Sequence, residues 1–135
     1  MYKVMALDIG TKRIGIAISD FLLMLANGHS YIDRNPENKA IETIIQIAKE
    51  NHVEKIVVGI PYNMDGTTGF QAQDCIDFAS KINGYEIIYE DERLTSETAE
   101  ENLKNRHISY TKEKGLIDME SACVILEQYL STRKE

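Results

Sequence analysis

The chain has 135 residues, of which 43% are apolar and 27% charged, and a formal net charge of −7 at neutral pH. This length suits one domain, residues 1–135, that buries roughly two-thirds of the surface of its unfolded chain. No run reaches the ~20 apolar residues that cross a bilayer. Polar residues from Asp8 onward interrupt any secretory pattern, and Cys75 and Cys123 have neither disulfide nor zinc spacing, so a cytoplasmic protein is expected. The acidic balance argues against non-specific nucleic-acid binding. It leaves room for a local basic rim, because Lys104, Arg106, Lys112 and Lys114 fall close together and Lys12, Arg13 and Arg93 flank acids.

Met5, Ala6 and Leu7 form a buried strand that delivers Asp8 where the strand meets solvent, beside a turn at Gly10. Ile14, Ile16 and Ile18 then alternate with Gly15, Ala17 and Ser19, a strand with one bulky and one small face. Together they predict a hairpin with an acid near its tip. A third strand is expected within residues 22–32. Asn35 as N-cap and Pro36 at the first helical position open a helix that buries Ile41, Ile44, Ile45 and Ala48 and closes at Asn51.

Residues 55–60 read as a central strand buried on both faces, followed by a loop over 62–69. A helix over 70–82 stops at Asn83-Gly84. Residues 85–89 form the next strand, which presents Glu90, Asp91, Glu92 and Arg93 at its carboxyl end. Thr95 or Ser96 caps a helix to about Asn105, residues 106–115 are a basic loop, and a last helix covers about 116–130. Strands separated by helices pair in parallel and the opening hairpin is antiparallel, which gives an α/β fold with a mixed five-stranded sheet and helices on both faces.

In the last helix Asp118, Ser121, Ala122, Ile125 and Tyr129 share one stripe, so an acid lies on the inward face. Each acid also has a plainer role: Asp118 as a first-turn anion, Asp8 as a turn residue, Asp91 and Glu92 as solvated strand ends. Ligands of open α/β sheets gather at the carboxyl ends of parallel strands. Carboxylates brought together there repel one another unless a cation neutralises them, and oxygen-only ligands select Mg²⁺ or Mn²⁺ over zinc. His29, His52 and His107 lack metal-ligand spacing, neither cysteine has a nucleophile's pattern, and the Gly10 to Gly15 turn is not a Walker loop.

Four segments carry a family resemblance: residues 6–20; Val57-Val58-Gly59-Ile60-Pro61 with Asn63-Met64-Asp65-Gly66; Asp91-Glu92-Arg93-Leu94-Thr95-Ser96 with Ala99-Glu100; and 118–130. In this order the chain resembles the YqgF/RuvX family of RNase H-like nucleases, described as Holliday-junction resolvases and as nucleases for the precursor of 16S ribosomal RNA. The resemblance implies an RNase H-like fold and a metal-binding, catalytic set of Asp8, Glu92 and Asp118, with Asp91 as the alternative to Glu92. It further implies Mg²⁺ or Mn²⁺ as cofactor. Expected partners are nucleic acid, either precursor RNA or branched DNA, and ribosomal particles, with no membrane and a monomeric or homodimeric state. Lys12, Arg13 and Arg93 are the expected phosphate contacts. Residues 21–34, Ser121 and the modest basic loop depart from the family pattern. Two other functions compete: a nucleotide-binding kinase lobe, which needs a second lobe to close over its ligand, and a non-catalytic RNA-associated module.

Overall fold

β2 (Arg13–Ser19) shows why the sheet can carry helices of different kinds on its two sides. In the computed structural model, which describes residues 1–92 and 114–133, its isoleucines pack with α1 (Glu37–Glu50) and α2 (Phe70–Ala79). Ala17 on the other face joins the cluster formed by α3 (Gly115–Thr132). The small face lets α3 lie close to the strands, and the bulky face fills the wider gap on the opposite side.

The sheet has five strands in the order β3-β2-β1-β4-β5. β1 (Lys3–Ile9) and β2 form the expected antiparallel hairpin, its turn closed by Gly10 N–H donating to the Arg13 carbonyl at 2.9 Å. β3 (Ala26–Asp33) is antiparallel to β2, and β4 (Val53–Ile60) and β5 (Glu86–Asp91) extend the sheet in parallel with β1. β4 is buried on both faces, as its unbroken apolar run requires, with Ile56, Val58 and Ile60 against α1 and α2 and Val57 against α3.

Two helix ends differ from the sequence reading. Pro36 is not the first helical residue: it holds the cap position in extended conformation, α1 begins at Glu37, and among the described residues no side chain caps it. The Pro36 carbonyl accepts from Lys39 and Ala40 instead, so the proline starts the ladder as an acceptor. α2 ends at Ala79 rather than Ile82, because Lys81 and Ile82 donate to Phe78 and Ala79, three residues back, in a tighter closing turn. The helix expected over 95–105 and the basic loop up to residue 113 lie outside the described residues.

Two close approaches fix α3. A Cβ on Gly15 would collide with the backbone carbonyl of Asp118, and one on Gly115 would collide with the ring of Tyr31. Gly15→Ala is therefore expected to cost about 3 kcal/mol or more in denaturant unfolding, since backbone must move. Gly28→Ala should cost under about 1 kcal/mol, because the atoms it meets at 3.1 Å belong to the flexible side chain of Met119. Among the described residues, Ser121 Oγ is buried without a hydrogen-bond partner. Ser121→Ala is expected to stabilise the fold by about 1 kcal/mol in the same assay, as a stranded hydroxyl is removed.

Candidate functional site

The row Val4, Ala6 and Asp8 on β1 faces α3, with the first two residues in the α3 cluster and Asp8 opposite Gly15 of β2. The acid is thus a half-buried member of a paired strand, one residue short of its end, rather than a turn residue facing solvent. Gly15 is what lets the first turn of α3 descend onto this position and bring Asp118 with it.

Glu92 follows the last residue of β5, and its N–H donates to the Ile60 carbonyl at 3.2 Å. Its Oε2 lies 2.7 Å from the point a Cβ of Gly59 would occupy, so the glycine in β4 makes room for the carboxylate. Asp91, the alternative, is exposed and lines a separate recess with Glu90 and Gln128. Asp8, Glu92 and Asp118 line one cleft of about 290 Å³, walled by the Gly10-Thr11 turn, Pro61, and Gln71 and Asp74 of α2. A larger recess of about 500 Å³, lined by Lys49, Val53 and Tyr85, opens at the amino ends of β4 and β5 and holds no acid cluster.

Burial, then the charge of Asp118, raises the pKa of Asp8, while a hydrogen bond from Glu92 works the other way. Burial first, then the charge of Asp8 and the hydrogen bond it donates to Asp8, raises Glu92. Glu92 thus shares its proton with Asp8 through that hydrogen bond, as like charges brought together in a buried cleft favour. Asp118 takes a different solution: its Oδ2 accepts from Arg13 Nε at 2.9 Å, with 21% and 29% of the two side chains exposed.

The donor set is entirely oxygen and suits a hard divalent cation, and the shared proton marks where positive charge is wanted. The third acid, Asp118, is engaged by Arg13. Among the described residues, no three His, Cys, Asp or Glu side chains are gathered to hold a metal ion.

Of the expected phosphate contacts, Lys12 is exposed at the hairpin tip, Arg13 is bound to Asp118, and Arg93 lies outside the described residues. Sequence reasoning missed Arg34 and Asp74. Arg34, with a side chain only 8% exposed, holds Asp74 through a two-pronged pair at 2.7 and 2.8 Å, bonds Glu37, and donates to the Gly10 carbonyl at 3.1 Å. It ties α1 and the α2 wall of the cleft to the turn beside Asp8. A lone arginine after a strand gives no local signal of this. Cys75 also lines the cleft, but burial and then the acids around it push its thiol up to about 12, so it is no nucleophile near neutrality.

The profile of the RuvX family, described as Holliday junction resolvase, matches residues 2–132. Relatives named "Putative pre-16S rRNA nuclease" include one from Rippkaea orientalis, 41% identical over 133 residues, covering 96% of this chain and 96% of the relative. Another, from Clostridioides difficile, is 40% identical over 131 residues, covering 95% and 93%. Among solved structures, T. thermophilus RuvC in complex with a Holliday junction substrate superposes with a TM-score of 0.59 at 11% identity, over 98% of this chain and 96% of that one. Fowlpox virus resolvase with Holliday junction DNA gives 0.59 at 12%, over 96% and 97%. At such identities the likeness is one of fold, which is RNase H-like.

The proton shared by Asp8 and Glu92 sets a pH dependence. Both groups bind protons more tightly folded than unfolded, so the native state holds the excess from the ordinary carboxylate range up to about 9, and stability falls as pH rises through that window. In chelator, denaturant unfolding is expected to show a loss on the order of 2 kcal/mol between about pH 5 and about pH 8.5. Asp8→Asn should flatten this slope and raise stability at the alkaline end.

Proposed function

The chain belongs to the RuvX family, and on that premise we propose that it is a divalent-metal-dependent nuclease that hydrolyses phosphodiester bonds, with Asp8, Glu92 and Asp118 as its catalytic carboxylates. The observation that carries this reading is the convergence of those acids from β1, β5 and α3 on one cleft at the carboxyl ends of the parallel strands. Asp8, Glu92 and Asp118 would hold the ion. When bound, a divalent cation of the Mg²⁺ or Mn²⁺ class supplies the charge that activates water and stabilises the leaving oxygen.

The chain's own groups have definite tasks in this reading. Asp8 and Glu92 give up their shared proton, so activity rises with pH until both are ionised. Lys12 and Arg13, one exposed at the hairpin tip and one beside Asp118, sit where flanking phosphates would pass, and Arg93 is proposed to join them. The guanidinium of Arg34 keeps the Gly10 turn and the α2 wall in register, so the cleft is shaped before any ligand arrives.

We take the precursor of 16S ribosomal RNA as the substrate, because relatives at about 40% identity over nearly the whole chain carry that name. Such a nuclease works in the cytoplasm, in contact with ribosomal particles. Branched DNA is the second reading, favoured by the description of the family profile. Assays with both substrates separate the two, and cleavage of the RNA precursor is expected. Asp8→Asn should lose Mg²⁺-dependent cleavage to background while keeping its circular dichroism and a cooperative unfolding transition. Cleavage at the wild-type rate by that variant would refute the assignment.

A further inference from the structure

Arg13 and Arg34 are both arginines bonded to acids of one cleft, yet they are held very differently. Arg34 is buried and saturated by Asp74, Glu37 and the Gly10 carbonyl. Arg13 is 29% exposed and, among the described residues, makes its ion pair to Asp118 through Nε alone. Among the described residues Asp8, Glu92 and Asp118 line one cleft without forming a group of three placed to hold a metal ion, and Asp118 is the one of them paired to a cation. A partly exposed single pair of this kind is weak and exchangeable. A phosphate diester offers a guanidinium a two-pronged partner that a single Nε contact does not match.

We propose that Arg13 is a latch on the metal centre: its guanidinium stands in for the cation at Asp118 and hands the carboxylate over when a nucleic-acid phosphate draws it away. This rests on the reading of Asp118 as a metal ligand and goes beyond it, because it makes assembly of the centre depend on substrate. The exchange is balanced in charge. Asp118 trades one positive partner for another, and Arg13 trades a carboxylate for a phosphate. Linkage then requires that nucleic acid and metal strengthen each other's binding by the same factor. The centre would stay incomplete in the free protein and be completed on the substrate.

Calorimetric titration of the nucleic-acid-free protein with Mn²⁺ tests this without any turnover. Arg13→Gln removes both a competitor for Asp118 and a nearby positive charge, so Mn²⁺ is expected to bind about three- to tenfold more tightly than to wild type. Arg13→Lys, which keeps the charge and loses the fork, should fall between. Binding of a single-stranded RNA oligonucleotide in chelator should weaken in Arg13→Gln, opposite in direction to the metal. Long-range repulsion alone would also tighten Mn²⁺, so the pair is repeated on an Asp118→Asn background, where the gain from Arg13→Gln is expected to shrink to that smaller remainder. An unchanged or weakened Mn²⁺ affinity in Arg13→Gln, or a gain that is just as large without Asp118, overturns the latch. If Mn²⁺ binding is lost in Asp8→Asn but indifferent to Arg13, the latch falls and the metal reading stands. If no variant and no wild-type sample binds Mn²⁺, both fall.

Discussion

The constraint on which the site depends is the close seating of α3 against β2 and β4. Helix and sheet surfaces normally stand apart by the depth of their side chains, and at Gly15 that depth is removed, so the backbone of α3 at Asp118 rests on the strand itself. Gly59 does the equivalent on β4, where Ile125 and the carboxylate of Glu92 occupy the space a side chain would take. Replacing these glycines by residues of ordinary bulk would keep the fold class but separate the acids. The apolar energy that holds this arrangement lies largely elsewhere, in the isoleucines of β2 and the buried faces of α1 and α2.

Such packing concentrates negative charge in a cleft with low-dielectric walls, and the protein meets the cost locally. One proton is shared between Asp8 and Glu92, and one guanidinium is spent on Asp118. Arg34 meets the charge of Asp74 at the neighbouring wall and keeps that residue's pKa below the usual carboxylate range. The net charge of −7 is therefore a poor guide to what a polyanion encounters. At the cleft, the relevant quantity is how much positive charge can be redistributed when a phosphate approaches.

The parts of this arrangement that are visible in the sequence are those with a local period. The alternation over residues 13–19 specifies a strand with two unlike faces, and the stripe of Asp118, Ser121, Ala122 and Ile125 specifies an acid on the buried side of a helix. Neighbouring acids at the end of β5 are harder. Asp91 and Glu92 exchange places with a one-residue slip, and what decides between them is the register of Gly59 against Glu90, a pairing between distant segments. The role of Arg34 is hidden for the same reason: Glu37 is only three residues on, but the partners that matter to the cleft, Asp74 of α2 and the Gly10 carbonyl of the hairpin, are far away in the chain, and a buried arginine looks locally like a solvated one. The start of α1 differs from its sequence pattern because proline can serve as an acceptor at the cap as readily as it can occupy the first helical position.

The hairpin also explains why an exchange at Arg13 is compatible with a fixed site. Asp8 and Arg13 lie on either side of one turn, which is closed by Gly10 and Arg13 and braced from outside by Arg34, whose N–H donates to the Lys12 carbonyl at 2.9 Å and whose Nη1 holds the Gly10 carbonyl. The backbone that carries both residues is thereby pinned at several points. A guanidinium that leaves Asp118 can swing as a side chain alone, over rotamer barriers that are crossed quickly, without the cost of moving a strand. Pinning the turn with a saturated arginine while leaving the next one singly bonded separates rigidity from exchange within a few residues. A centre built this way can be rigid in its acids and labile in the charge that occupies them.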